Sequence, residues 1–353
     1  MKKFIFVSTA VIVEGFLKDC ILDFNNYTFY QIPKSLTQFI RKYEKGYSID
    51  EIYKIHKHNN IVNEYIEFLT EKELILFTND IKGFNNLETK WDSPSEILNS
   101  IIELDKLSIF YKAFDQLNNL NCKSYEIRID KDVPLSTINK ALNYINYSRC
   151  QEINLVFYSN KISIKAIKQL IFKFPHILRI SIYEAERNKE TIFNNQIFKI
   201  PITYFSKSLK YIEKNHFYSV GIVNILYYSE SLVYNTYLNR KIFIDKIGDI
   251  YNAPNLMKRH CNISDCNIVN VIHKTDFQEL FKVNKNEIDI CQNCEFRHTC
   301  YNTSDLFFTK KRWEYIKKCD YNPFISKWNG EEGWISVEEW RKKLKLEIRK
   351  DYL

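Results

Sequence analysis

The order of apolar and polar positions divides the chain into stretches of different period. Residues 4–13 are almost all apolar and β-branched and read as one buried strand. Residues 20–24 and 27–32 flank Asn25-Asn26, a pair suited to a tight turn, and predict a hairpin. Pro33 then opens a helix, with Leu36, Phe39, Ile40 and Tyr43 on one face. Ser48 followed by Glu51 is a capping box for a second helix. A third helix is predicted over residues 60–71, with apolar Ile61, Tyr65, Phe68 and Leu69, and residues 74–77 close the unit as a strand. Strands of this kind with three short helices suggest a winged-helix-like module over residues 1–80. Gly83, Asn85-Asn86, Trp91 and Pro94 mark residues 81–95 as a linker.

From residue 96 to 220 the period alternates between two and 3.6. Strands are predicted at 124–130, 151–158 and 177–183, and helices at 135–147 and 163–174. Repeated βα units imply a parallel sheet covered by helices. Only part of an eight-unit barrel fits, so the expected fold class is α/β with a partial (βα) barrel or open parallel sheet at its centre. Residues 221–353 carry a predicted hairpin, 241–245 with 249–251 around Gly248, and then a cysteine-rich segment. The chain ends on a basic helix over 337–350, whose Trp340, Leu344 and Ile348 read as a packing stripe.

Composition narrows the function. Only 7 glycines occur in 353 residues, and neither common phosphate-cradling glycine motif is present, which argues against the usual nucleotide-binding enzymes. A net charge of +8 is mild over this length; it permits an acidic peptide partner and gives no nucleic-acid signature. The N-terminal apolar run ends at Glu14 without a small-residue cleavage site, and no run approaches the roughly 20 apolar residues of a membrane span. No membrane association is expected. The cysteines cluster instead of spreading as pairs, which points to a reducing cytoplasm.

Four of those cysteines carry the strongest chemical signal. Cys291, Cys294 and Cys300 read C-x2-C-x5-C, and Cys319 follows. Two thiolates two residues apart can face one ion, and a third and fourth close a tetrahedral shell. The same set suits one [4Fe–4S] cluster, with one structural zinc as the alternative. The chain contains no C-x3-C-x2-C run of the kind that holds a radical-generating cluster. Cys261 and Cys266 read as two free cysteines, with a second zinc site as the alternative; Cys20, Cys122 and Cys150 read as core thiols. His298 lies inside the cysteine run but four thiolates suffice, His56 and His58 read as surface residues, and Glu184 and Glu186 as a solvated loop after a strand end.

Several segments together resemble the SPASM-domain peptide maturases of grasp-with-spasm systems, which act on ribosomally made peptides (graspetides). They are residues 223–231 (Val-Asn-Ile-Leu-Tyr-Tyr-Ser-Glu-Ser), 239–245 (Asn-Arg-Lys-Ile-Phe-Ile-Asp), 291–297 (Cys-Gln-Asn-Cys-Glu-Phe-Arg), 318–324 (Lys-Cys-Asp-Tyr-Asn-Pro-Phe) and Lys327-Trp328. The resemblance implies a C-terminal SPASM-like metal domain over 221–353 and a degenerate radical-SAM-like region over 96–220. It also implies that residues 1–80 are a leader-peptide recognition element. A full SPASM domain would place cysteines of a first cluster near Tyr237, Ala253 and Thr303, none of which is cysteine here. Cys291, Cys294, Cys300 and Cys319 match the ligand set of the second cluster. The partners implied are a precursor peptide and an ATP-grasp ligase. The expected role is that of an accessory maturation protein, with a catalytic maturase as the alternative.

A peptide site can be placed on physical grounds. An edge strand at 27–32 beside the third helix would accept an extended leader as an added strand, against Phe29, Tyr30, Ile32, Val62, Tyr65 and Ile66. The competing expectation is an edge buried against the next domain.

Overall fold

The structure is a computed structural model that describes residues 2–44, 46–57, 59–79, 87–146, 148–159, 161–194, 199–309 and 311–350, without the side chains of 346–350. His58, Gly83, Asn85 and Asn86 lie outside these residues.

The N-terminal unit contains β1 (Lys3–Phe6), β2 (Ala10–Glu14), β3 (Lys18–Asp23), β4 (Thr28–Pro33), α1 (Lys34–Tyr43), α2 (Ile49–His56), α3 (Asn60–Glu71) and β5 (Ile75–Thr78). The apolar run 4–13 is therefore two strands and not one. The polar pair Ser8-Thr9 makes a turn, so β1 pairs with β5 while β2 enters the antiparallel sheet β2-β3-β4. The Asn25-Asn26 turn forms as expected, with both backbone amides donating to Asp23 Oδ1 at 3.0 and 3.2 Å. Leu36, Phe39, Ile40 and Tyr43 of α1 are buried, and Ser48 and Glu51 form both halves of the capping box. The core packs Ile21 and Ile32 from the sheet against Ile40, Ile52, Ile66 and Leu69 from the helices.

The central unit repeats strand and helix: β6 (Asn99–Leu104), α4 (Leu107–Asn119), β7 (Ser124–Ile129), α5 (Leu135–Ile145), β8 (Glu152–Phe157), α6 (Ile164–Lys173) and β9 (Ile177–Ile182). A hairpin-like pair follows, β10 (Lys189–Asn194) and β11 (Lys199–Tyr204). After α7 (Leu209–Asn215), β12 (Tyr218–Val220) and α8 (Ile225–Val233), the chain returns as β13 (Lys241–Ile244), β14 (Asp249–Tyr251) and β15 (Cys261–Asn262). All but β12 join one open nine-stranded sheet, ordered β10-β11-β9-β8-β7-β6-β13-β14-β15. Its six central strands, β11 through β13, are parallel. The open parallel sheet expected from the period is what forms. Because β13 pairs directly with β6, the sheet runs across the boundary expected at residue 220. Gly248 (φ +91°) makes the β13–β14 turn, where an added Cβ would lie 2.9 Å from Ile263.

Alternation divides the sheet chemically. One face, with Ile102, Ile127, Leu155, Ile180 and Ile242, packs against α4, α5 and α6. The other carries Glu103, Glu126, Arg128 and Lys241. Right-handed crossovers between successive neighbours put the helices on one side and leave this polar face for later segments to cover. Among the described residues no helix is long and apolar enough to cross a membrane.

Candidate functional site

The four-cysteine region is built from short pieces. Cys291 begins a 3-10 turn (Cys291–Asn293) entered through Ile290 at φ 67°, and Cys300 begins β16 (Cys300–Asn302), paired antiparallel with β12. The Cys300 carbonyl accepts from Lys285 Nζ and from the Tyr227 hydroxyl, each at 2.6 Å. All four thiols are half-buried. Burial pushes each of them above the ordinary thiol range, Cys319 to about 12. Cys300 acts electrostatically on the other three, and Lys285 favours the thiolate at Cys291 and Cys300. The amide of Tyr321 donates to Cys319 Sγ at 3.4 Å, and the amide of Phe296 to Cys294.

These donors fit a thiolate-held group in kind and number, and amides two residues on from a cysteine are what supports a ligating sulfur. As placed, no group of three donors among the described residues converges closely enough to hold an ion. Cys291, Cys294, Cys300 and Cys319 are thus neighbours without a closed shell. A bound cluster or ion would brace this region; because loading needs thiolates, it would release protons from groups that burial keeps neutral.

Cys261 and Cys266, expected as free thiols, are joined by a disulfide. Asn262 folds the intervening residues into a turn that brings the two sulfurs together, accepting from Ser264 N and through its carbonyl from Asp265 N. Cys20, Cys122 and Cys150 are buried, as core thiols should be. His298 is also buried and bonds Ser231 Oγ through Nδ1 at 2.8 Å. His56 is half-buried and not a free surface group, its ring bonded to the Tyr43 hydroxyl at 2.6 Å. Glu184 and Glu186 are exposed loop residues.

The N-terminal module meets the cysteine region at the residues between the thiols. Phe16 N donates to Asn293 O at 2.8 Å, and Gln31 Nε2 donates to Glu295 Oε1 at 2.7 Å and Ser326 Oγ at 3.0 Å. Glu295 is fully buried, hydrogen-bonded to the Tyr321 hydroxyl, and burial raises its carboxyl. Phe29 meets Phe296 edge-on with centroids 5.6 Å apart, and Phe16 packs on Phe324 and Trp340. Gly15 is required here, because a Cβ would fall 2.4 Å from Lys18 O and 2.9 Å from Glu295.

The expected peptide residues separate accordingly. Ile32, Val62 and Ile66 are inside the module's core and not on a groove wall. Phe29 points to the cysteine region. Tyr30 and Tyr65 remain half-exposed beside Phe68, with Tyr30 and Phe68 edge-on at 5.7 Å, Lys72 Nζ 6.0 Å from the Tyr30 ring, and Tyr65 bonded to Ser35. β4 pairs with β3 alone, and among the described residues no backbone group bonds its outer edge.

A polar set, missed in the sequence, lies on the face of the sheet opposite α4, α5 and α6, where α7 supplies Glu213 and where Arg128 and Lys241 are buried. Arg128 pairs with Glu126 at 2.6 Å and Glu213 at 2.7 Å, and Tyr158 donates to Glu103 at 2.5 Å. Lys241 is almost wholly buried, its Nζ 4.0 Å from the Tyr237 ring centroid and 3.4 Å from the Tyr301 hydroxyl. Burial holds its pKa down, to about 8. The signal was present as charged residues at alternate positions of predicted strands.

No family model matches the sequence, and no curated protein matches it. Among solved structures the chain is similar to that described as the crystal structure of Streptococcus suis SuiB bound to S-adenosylmethionine, with 10% identity, 84% of this chain and 94% of that one covered, and a TM-score of 0.37. A likeness this loose decides neither fold nor function.

Proposed function

We propose that this chain is an accessory maturation factor that binds the leader of a ribosomally made precursor peptide and presents it to a partner ATP-grasp ligase. The observation that carries this reading is the unpaired outer edge of β4 beside α3. An extended leader adds there as a strand and packs apolar side chains on Tyr30, Tyr65 and Phe68, with Lys72 available to an acidic residue. The four-thiol region, holding one [4Fe–4S] cluster or one zinc on Cys291, Cys294, Cys300 and Cys319, forms the base on which the module sits.

The test is fluorescence anisotropy of the labelled leader segment of a candidate precursor peptide with the full-length protein. Binding that falls about tenfold in Tyr65→Ala supports the reading, since one aromatic contact contributes about 1 kcal/mol or more. Unchanged binding in both Tyr30→Ala and Tyr65→Ala overturns it. A second reading, in which the chain itself modifies the peptide, draws on the polar set around Arg128, Glu213 and Lys241. It requires a product mass shift that the ligase alone does not give.

A further inference from the structure

The βα alternation omits one helix. β6, β7, β8 and β9 are each joined to the next by a helix, but β9 reaches its parallel neighbour β11 through the strand β10. Where a fourth covering helix would lie, an open groove of about 590 Å³ runs between α6 and the β10–β11 pair. Its walls include Ile164, Phe193 and Tyr204 and three cations, Lys168, Arg187 and Lys189, against one carboxylate, Glu186. Apolar surface is left in water around it: Phe172 is 67% exposed and Ile164 49%. Lys168 Nζ lies 5.8 Å from the Phe193 ring centroid, which keeps its charge at the groove. Among the described residues no carboxylate lies in an ion pair with Lys168, Arg187 or Lys189.

We propose that this groove is a docking seat for an acidic amphipathic helix of a partner protein, which completes the missing layer of the sheet. A six-residue strand is about 20 Å long, the length of a helix of about 13 residues. The apolar floor takes the helix's apolar stripe, and the cations select carboxylates on its flanks. The seat lies on the sheet's outer edge and is independent of the β4 edge proposed for the leader.

The experiment uses the full chain and two synthetic helices of about 14 residues, sharing one leucine stripe and flanked by glutamates in one and lysines in the other. The glutamate helix should bind, weaken with salt, and lose about tenfold in affinity for the Lys168→Glu/Arg187→Glu variant. These are exposed side chains, so the variant's melting temperature should match the parent's. Equal binding of both helices, or binding unchanged in the variant, overturns the proposal. So does a chain that sediments as a dimer and becomes monomeric in the variant, because the occupant is then a second copy.

Discussion

The N-terminal module and the four-cysteine region show two ways of holding a fold. The module has regular elements, a capping box, and a core of aliphatic side chains from both sheet and helices. The cysteine region has strands of two or three residues, and what it buries is largely polar or aromatic: Glu295, His298, Thr299, Asn302 and Phe296. Apolar burial of roughly 25 cal/mol per Å² can hold the first. The second has little of it, so its order rests on its hydrogen bonds and on the module docked against it and, under the proposed function, on a group that its four neighbouring thiols would hold.

That difference can be broken deliberately. The largest effect is expected from Cys294→Ala. Metal binding in such a region is folding free energy, so losing a ligand should cost roughly 5 kcal/mol or more locally. Limited proteolysis should then cut within residues 285–328 while the central sheet survives, and metal analysis should show loss. A metal-loaded, protease-resistant variant would break the comparison. Leu155→Ala, in the fully buried face of the sheet, should cost about 2–5 kcal/mol by urea unfolding and leave metal content unchanged.

Lys241→Met sharpens the contrast from the polar face of the sheet. With its pKa near 8 in the fold and the ordinary 10.5 when unfolded, Lys241 is protonated in both states below pH 8. Between pH 8 and 10.5 the unfolded chain binds the extra proton, so stability rises with pH, by an amount of the order of 3 kcal/mol. The methionine variant should be more stable at pH 7 and lack this rise relative to the parent, as the difference between urea curves at pH 7 and 10 will show. Ser48→Ala, removing the cap of α2, should cost only about 1 kcal/mol by thermal melting.

The same contrast explains what the sequence disclosed. α3 spans Asn60–Glu71, the stretch its periodicity predicted, because its apolar stripe packs on the module's core and Asn59 caps it. The βα alternation was legible for the same reason. The break at Ser8-Thr9 was not, since two small polar residues inside an apolar run look like strand. β10 was missed because a half-exposed edge strand, Lys-Glu-Thr-Ile-Phe-Asn, has no core face to impose a clean period. At the site, the spacing of Cys291, Cys294, Cys300 and Cys319 put four thiols in one region. It did not reveal Gln31, Glu295 and Lys285, whose roles come only from contacts across hundreds of residues or through backbone carbonyls. The Cys261–Cys266 pair was misjudged because the turn at Asn262, not the spacing, joins the two sulfurs.

The most direct test of the central claim is hydrogen exchange by mass spectrometry on the full chain with and without the precursor's leader peptide. Added-strand binding predicts new protection of β4 and of the exposed turns of α3, with the central sheet unchanged. Protection confined to other segments, or none at saturating leader, would contradict the account.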